Sequence, residues 1–407
     1  MITMQRDRRI TMRDILGISD LGPIDESGGF DKLLDMPIEA FKGFEEGFNE
    51  KADLITETTD GFPLGPMWDE FQRTIRIWNE QRNALIRPLT YNVTKLVEGV
   101  RYPVEQDFEE ASEYGVPKGI RLGPAYRMGY DWKFWDIAIR YTWMFLAEAD
   151  RAQLRALHQT ALEADNRLMF TRIMRQVFNN VTKVADIEGE SVNVYPFYNG
   201  DTMVPPKWKT TVHATAHQHY ITSGGATVVS GDLDDLQALL NHHGYTSTNG
   251  YTLLLMVNPS EGTVIRGFTR GGGAKYDFIP SGNVGGGIIL AANGGIIGAP
   301  PSVTLPGLST IGTYGQFVII EEDYIPDNYM LALASAGPDD IGNPVGFREH
   351  ENASLRGLKL VPGAQHDYPL VDSYYLHGFG TGVRHRGAGA VMEITADATY
   401  DIPAEYA

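Results

Sequence analysis

Residues 151–178, RAQLRALHQTALEADNRLMFTRIMRQVF, form the stretch that decides the fold of this 407-residue chain. No glycine or proline occurs between Gly129 and Gly189. The pattern predicts one helix from about Phe145 to Phe178, roughly 45 Å long at a rise of about 1.5 Å per residue. We expect its apolar face to pack in the core. That face consists of Leu154, Leu157, Ala161, Ala164 and Leu168, continued one face over by Met169, Ile173 and Val177.

The chain before this helix divides into three segments of different character. Residues 1–66 are polar, with turn signals and little apolar surface, which predicts an extended arm lying on other surfaces. Residues 67–87 have a helical repeat that Pro88 ends. Residues 90–141 hold two strand-like runs around a charged stretch, typical of a long two-stranded excursion. Such a ribbon is marginal alone and predicts support from another surface.

The chain after the helix alternates short helices and strands. In DLDDLQALLNHHGY, residues 232–245, Asp232 is the expected N-cap of a helix and Gly244 its stop. The segment GQFVIIEEDYIPDNYMLALAS, residues 315–335, predicts a strand, a Pro-Asp turn and a second strand. The sequence therefore predicts an α+β protein.

Composition restricts the function. The chain has 52 acidic and 34 basic residues, a formal net charge of −18, so tight binding of nucleic acid is disfavoured as its main activity. There is no cysteine, which excludes disulfides, thiolate metal ligands and a cysteine nucleophile. The longest apolar runs are far below the roughly 20 residues that a membrane span needs.

Three of the ten histidines lie in HATAHQHY, residues 213–220. The β-branched flanks favour a strand, on which His213 and His217 would be about 13 Å apart. Only His217 and His219, about 7 Å apart on that strand, could then chelate one ion. We therefore predict no metal site here, and favour an ordered polar face or a loop anchor.

No catalytic motif is present. The glycine-rich tract at 271–315 contains neither a phosphate-binding loop nor a dinucleotide fingerprint. No serine stands in a nucleophile elbow, and the acidic clusters at 109–111 and 321–323 are typical of solvated faces. We expect no enzymatic activity and no cofactor.

The order of these elements resembles the major capsid proteins of tailed bacteriophages, which have the Hong Kong 97-type fold. Three stretches carry the resemblance to those of actinobacterial phages: residues 321–337, residues 377–403, and TAHQHYITSGG, 215–225, followed by the predicted helix at 232. The resemblance implies an N-terminal arm, an extended β-loop, a peripheral domain with a long spine helix, and an axial domain. Its implied boundaries are 1–66 for the arm, 67–89 for a helix leading into the loop, 90–141 for the extended loop, 142–189 for the spine helix, 190–335 for the axial domain and 336–407 for the peripheral β-structure.

The resemblance also implies a function. The chain would self-assemble into hexamers and pentamers of an icosahedral shell that encloses double-stranded DNA without sequence-specific binding. Scaffolding, portal and decoration proteins would be its partners, no membrane would be involved, and assembly in the host bacterial cytoplasm would place it in the virion. Some members lose an N-terminal scaffolding domain by cleavage; with a start at Met1, we expect no such cleavage and a separately encoded scaffold.

Four basic residues are the predicted inter-subunit contacts. Lys118 lies near the predicted loop tip, where some members form an isopeptide cross-link to an asparagine, although no partner asparagine can be assigned here. A solvated or salt-bridging lysine is the simpler interpretation. Arg121, Arg384 and Arg386 are predicted to form inter-subunit ion pairs, because guanidinium suits bidentate contacts at interfaces.

Two alternatives remain open at this point. One is an encapsulin-type nanocompartment shell of the same fold, although those chains are usually shorter and lack a long polar arm. The other is a soluble metal-dependent enzyme built around His217 and His219.

Overall fold

The computed structural model describes most of the chain from residue 55 onward. The described residues are 55–80, 86–103, 108, 110–111, 113–116, 119, 122–139, 141–187, 189–281, 289–290, 296–298, 309–363, 370 and 372–407. Almost all of the predicted N-terminal arm, residues 1–54, therefore lies outside the described residues. Lys118 and Arg121 lie outside them too.

Five α-helices and three short 3-10 helices occur in the described part of the chain. The α-helices are α1 (Leu64–Glu80), α2 (Trp143–Glu148), α3 (Arg151–Phe178), α4 (Ser230–His242) and α5 (Pro259–Ile265). The 3-10 helices are Ser247–Asn249, Arg270–Gly272 and Ala353–Leu355. α1 begins three residues before the predicted start, and its predicted continuation passes into residues 81–85, outside the described residues.

The predicted long helix is present but interrupted near its start. α2 ends at Glu148, and the Asp150 carboxylate then accepts a hydrogen bond from the Gln153 backbone N–H (2.7 Å). The Gln153 side chain accepts one in return from the Asp150 N–H, which completes a capping box that starts α3 as a new helix. The prediction of one helix from Phe145 to Phe178 is therefore wrong at Ala149 and Asp150, where local capping replaces continuation.

The buried face of α3 differs from the predicted apolar stripe. Leu157 is exposed and Leu168 is half-buried, whereas His158 and Asp165 are buried in their place. Because 3.6 residues make a turn, positions 154, 158, 161, 165 and 169 form one straight face, and two of them carry polar side chains. The face predicted from apolar spacing is therefore rotated by about one residue from the face of α3 that is buried.

Eighteen strands are described. They are β1 (Thr90–Val93), β2 (Glu98–Pro103), β3 (Leu122–Met128), β4 (Lys133–Ala138), β5 (Lys183–Ile187), β6 (Glu190–Val194), β7 (Tyr220–Thr222), β8 (Thr252–Val257), β9 (Ile279–Pro280), β10 (Ile289–Leu290), β11 (Ile296–Gly298), β12 (Thr310–Tyr314), β13 (Phe317–Glu321), β14 (Tyr329–Ser335), β15 (Val345–Arg348), β16 (Lys359–Val361), β17 (Tyr374–Val383) and β18 (Gly389–Glu393).

The larger sheet has seven strands in the order β7-β18-β14-β8-β13-β12-β9. β8 lies between β13 and β14, parallel to the first and antiparallel to the second. The predicted strand–turn–strand unit at 315–335 is present, with its two strands separated by β8 rather than paired. Both faces of this sheet are buried: Leu254 and Met256 face one apolar cluster, and Leu253 and Leu255 face another.

A second sheet contains β1-β15-β17-β16, with β4 also paired to β17. β1 pairs in parallel with β15, and β4 pairs antiparallel with β17. β1 and β4 were both predicted as parts of the extended loop, so the free two-stranded ribbon is shorter than 90–141 and consists of β2 and β3.

The strand β18 joins the seven-stranded sheet instead of the predicted peripheral structure at 336–407. Three further pairs, β2-β3, β5-β6 and β10-β11, form two-stranded sheets.

The C-terminal half of α3 joins the two large sheets. Phe170 and Met174 belong to an apolar cluster that includes Phe347 and Phe379 from one sheet and Leu331 from the other. Burial of apolar surface contributes about 25 cal/mol per Å², so this shared core stabilises the packing of α3 against both sheets. No helix in the described residues combines the length and apolarity needed to cross a bilayer.

Candidate functional site

The β2–β3 ribbon has the features of a surface for subunit contact. Its strands pair antiparallel from Glu98 opposite Met128 to Pro103 opposite Leu122. Beyond that pairing, every described side chain of the tip is exposed. Three of these are large and apolar, each more than nine-tenths exposed: Phe108, Tyr114 and Val116. Isolated apolar residues are common on protein surfaces, but several on one two-stranded projection mark an interaction site.

The strand β4 adds a second exposed surface. It pairs with β17 along one edge, yet five of its six side chains are exposed, including Phe134 and Ile137. Strands with exposed apolar side chains are normally shielded, since they offer pairing and packing to other chains.

The predicted arginine contacts have different environments. Arg384 is partly exposed, with its guanidinium 3.9 Å from a Glu98 carboxylate oxygen and 5.9 Å from the Tyr91 ring centre. Its inter-subunit role stays a prediction, as do those of Lys118 and Arg121.

Arg386 is fully buried, and its guanidinium is occupied within the chain. It donates to the carbonyl oxygens of Pro196 (2.9 Å) and Phe197 (3.1 Å) and to the Asp201 carboxylate (2.7 Å). The predicted inter-subunit ion pair is therefore wrong for Arg386, because local carbonyl groups and Asp201 already saturate the side chain. The apolar strand pattern around it gave no sign of this intrachain binding pocket.

Five of the ten histidines form a single cluster, here called the histidine cluster: His213, His217, His219, His242 and His243. The first three precede β7, and the last two lie at the C-terminal end of α4.

The helix α4, which positions two of these histidines, begins at Ser230 with Val229 as its N-cap. The predicted cap, Asp232, instead lies in the first turn, where its carboxylate accepts a hydrogen bond from the Val229 N–H (2.7 Å). The predicted stop at Gly244 is confirmed, with φ of +84°.

The histidines approach one another far more closely than a strand would allow. β7 covers only 220–222, so His213 and His217 lie in irregular chain, with ring centres 4.7 Å apart. The prediction of about 13 Å between them is therefore wrong, because the strand that it assumed is absent. Two triads each bring ligand nitrogens within 4.8 Å of one another: His213, His217 and His242, and His217, His219 and His243.

The second triad, here called the inner triad, has the tighter geometry. His243 Nε2 lies 3.1 Å from His217 Nδ1 and 3.0 Å from His219 Nε2. On its other side, His219 Nδ1 donates to the Gly389 carbonyl oxygen (2.7 Å). Since a carbonyl only accepts, this bond places the ring proton on Nδ1 and leaves the Nε2 lone pair of neutral His219 facing His243.

Burial keeps the inner triad neutral. Desolvation, with smaller contributions from neighbouring imidazoles, lowers the pKa of His219 to about 4 and that of His243 to about 2. Desolvation and the ring of His242 also lower the pKa of His217. Neutral imidazole is the form of histidine that binds metal ions, so these rings are in the binding form at neutral pH.

Glycines and aromatic rings shape the surroundings of the cluster. A Cβ at Gly387 would lie 2.9 Å from His243 Cγ, so this position must lack a side chain. Tyr198 stacks on His243 with ring centres 5.5 Å apart. Beside the cluster lies an open cavity of about 600 Å³, whose lining includes Trp208 and Arg386. The sequence prediction did not include His242 and His243, although the histidine doublet in NHHGY, residues 241–245, is a signal for them.

A separate pair of polar contacts lies in the core between α1, α3 and β17. The Asp165 carboxylate accepts from His377 Nδ1 (2.6 Å) and from Trp78 Nε1 (3.1 Å). About two helical turns earlier, His158 Nδ1 lies 2.6 Å from the Tyr375 hydroxyl. These contacts fix α3 against β17 and involve no exposed surface.

No protein-family model matches the chain, and no curated protein sequence matches it. Among solved structures, it is similar to a chain of Mycobacterium phage Patience, with 42% identity and a TM-score of 0.65 over 89% of this chain and 96% of that one. A capsid chain of a native GTA particle is 11% identical, with a TM-score of 0.45 over 88% of this chain and 99% of that one. An SrpI encapsulin from Synechococcus elongatus is 14% identical, with a TM-score of 0.43 over 90% and 98%. Neither of these two is close enough to inform on function.

The fold, together with the likeness to a phage chain, defines the class as a structural shell protein of a phage. The extent of the likeness to the Patience chain then settles the family. The chain belongs to the major capsid proteins of tailed bacteriophages, with the Hong Kong 97-type fold, as its sequence resemblance implied. Its function is structural, as a virion component that assembles into capsid oligomers.

Proposed function

We propose that this chain forms the hexamers and pentamers of an icosahedral shell around double-stranded DNA, and that the β2–β3 ribbon holds neighbouring subunits together. The observation that carries the ribbon's role is the exposure of Phe108, Tyr114 and Val116 at its tip. Their apolar surface is in water in the single chain, and burial against a neighbour would stabilise assembly by about 1.5–3 kcal/mol for each large side chain.

The charge of the chain supports the same function. Each chain has a net charge of −18, so a shell built from it would repel DNA overall. Such a shell would contain DNA without binding it tightly. We further propose a scaffold, a portal and decoration proteins as partners, with assembly in the cytoplasm of the bacterial host. The domain boundaries implied by the resemblance belong to this proposal, with the extended loop reduced to β2 and β3 and with β18 joined to the seven-stranded sheet.

The test is expression of the full chain followed by size-exclusion chromatography and negative-stain microscopy. We expect megadalton shells or capsomers with five- and six-fold symmetry. A clean monomer that does not assemble even with its scaffold supplied would overturn the proposal.

A pair of matched variants tests the ribbon. Phe108→Asp combined with Tyr114→Asp places two charges where the proposal requires apolar contact, so we expect loss of shells with an unchanged circular dichroism spectrum. Phe108→Leu combined with Tyr114→Leu keeps the apolar character and should still assemble. Normal shells from the aspartate variant would show that the tip is not a subunit contact.

A further inference from the structure

The inner triad presents three nitrogen atoms that cannot all be satisfied by one another. The Nε2 atom of His219 holds a lone pair, because its other nitrogen donates to Gly389. A proton on His243 Nε2 can be donated well to His219 or to His217, but not to both. Without that proton, the lone pairs of His243 and His219 would face each other at 3.0 Å. At least one nitrogen lone pair of the inner triad is therefore left without a hydrogen-bond donor, and a cation between the three nitrogens would satisfy it.

The spacing of these nitrogens matches that around a tetrahedral metal ion. Zinc–nitrogen bonds of about 2.0–2.1 Å at the tetrahedral angle place ligand nitrogens about 3.3 Å apart. The observed separations at His243, 3.1 Å and 3.0 Å, lie within a few tenths of an ångström of that edge. The ligand nitrogens of the inner triad all lie within 4.8 Å of one another, so adjustment of the ring positions would place them around one ion.

The contact to Gly389 supplies the support that metal-binding histidines need. A histidine that binds a metal usually donates its second ring N–H to a carbonyl or carboxylate, which fixes the ring orientation. His219 has this bond, at 2.7 Å to the Gly389 carbonyl, and the ring is fully buried. The stacking of Tyr198 on His243 restrains a second ligand.

We propose that the histidine cluster binds one divalent transition-metal ion of the zinc class through His217 Nδ1, His219 Nε2 and His243 Nε2. An all-imidazole ligand set suits zinc, copper or nickel rather than magnesium or calcium, which prefer oxygen. Within the described residues, the rest of the cluster, His213 and His242, forms its own pair with nitrogens 3.1 Å apart. The fourth coordination position is taken by water or by one of these two rings.

The consequence of binding is a cross-link between distant parts of the chain. His217 and His219 precede β7, His243 ends α4, and Gly389 lies on β18. An ion held by these groups would tie the edge of the seven-stranded sheet to the helix that covers it. Ligands that bind only the folded chain raise its stability in proportion to the logarithm of their concentration.

The test uses the full chain without a polyhistidine tag, stripped with a chelator and titrated with zinc by calorimetry. We expect one zinc ion per chain, a raised unfolding temperature, and, with cobalt in place of zinc, the intense visible absorption of a tetrahedral site. In His217→Gln, stoichiometric binding and the temperature rise should both be lost. His217 is half-buried and its replacement leaves the core intact, so loss of binding can be separated from loss of folding by circular dichroism.

Two control variants locate the ion. His350→Gln lies outside the cluster and should bind one zinc ion per chain with unchanged affinity, and His213→Gln should retain stoichiometric binding. The proposal is overturned if the wild-type chain binds no stoichiometric zinc or if His217→Gln and His243→Gln bind it like the wild type. It is also overturned if His213→Gln abolishes binding while His243→Gln retains it. Each readout is made on unassembled chain, so shell formation does not affect the outcome.

Discussion

Two groups of histidines in this chain have opposite surroundings. Between α3 and β17, His377 donates to Asp165, and His158 contacts the Tyr375 hydroxyl. In the histidine cluster, the rings contact mainly other imidazoles, at 3.0–3.1 Å. The first group has complementary donors and acceptors from other residue types, whereas the polar contacts of the second are mostly between imidazoles, apart from the bond of His219 to Gly389.

This difference separates a structural role from a binding role. A buried polar side chain with a matched partner contributes to a defined packing, and its removal leaves that partner unsatisfied. Neutral imidazole rings that face one another are stabilised little by their mutual contacts, and their nitrogen lone pairs remain available to bind a cation. Removing one member should therefore be costly in the first group and inexpensive in the second, when no metal is present.

The largest effect is expected at Asp165. Asp165→Ala removes the acceptor for His377 Nδ1 and Trp78 Nε1, leaving one buried and one partly buried donor unsatisfied. We expect the free energy of unfolding to fall by about 3–5 kcal/mol, as for other broken buried pairs. Urea unfolding of the unassembled chain, followed by circular dichroism, measures the change. Glu163→Ala, an exposed acidic residue on the same helix, should stay within about 0.5 kcal/mol of the wild type. Equal behaviour of the two variants would contradict the structural role.

The next effect is a pH dependence that arises from His158. Burial lowers the pKa of His158 from 6.5 to about 4, so below pH 6.5 the unfolded chain binds more protons than the folded one. Stability is therefore lost as the pH falls from 6.5 to 4, by up to about 3 kcal/mol for this ring. Other buried histidines act in the same direction, and the comparison with His158→Gln isolates this contribution. The variant should lose less stability over that interval, and parallel curves for the two proteins would argue against the prediction.

The smallest effect is expected in the histidine cluster without metal. His217→Gln replaces a half-buried ring whose nitrogen contacts another imidazole. In the presence of a chelator, we expect the free energy of unfolding to change by less than about 1 kcal/mol. The measurement is the urea unfolding used for Asp165→Ala. A loss comparable to that variant would show that the cluster, like the α3–β17 contacts, is needed for folding itself.

Elements with a regular apolar repeat, or with an end marked by glycine, were predictable from the sequence. The long helix, apart from its break at Ala149 and Asp150, the strand–turn–strand at 315–335 and the stop at Gly244 follow from apolar spacing and from glycine. The order of elements also supported the family resemblance, which the comparison with the Patience chain confirmed.

Features that depend on distant partners were not predictable. The polar face of α3 is buried because His377 and Tyr375 lie on β17, more than two hundred residues away in sequence. β1 and β4 join a sheet through β15 and β17, so local strand patterns assigned them to the ribbon. The inner triad needs His243, which a search within residues 213–220 could not include.

Arg386 has a mechanical consequence. It lies in the five-residue connection, 384–388, between β17 of one large sheet and β18 of the other. Its guanidinium holds the Pro196 and Phe197 carbonyl groups in the segment that follows β6. Movement of this connection away from the segment that follows β6 must therefore break several charge-assisted hydrogen bonds together. Arg386 therefore acts as an internal cross-link. Under internal pressure on the shell, we expect the connection between the two sheets to keep its structure.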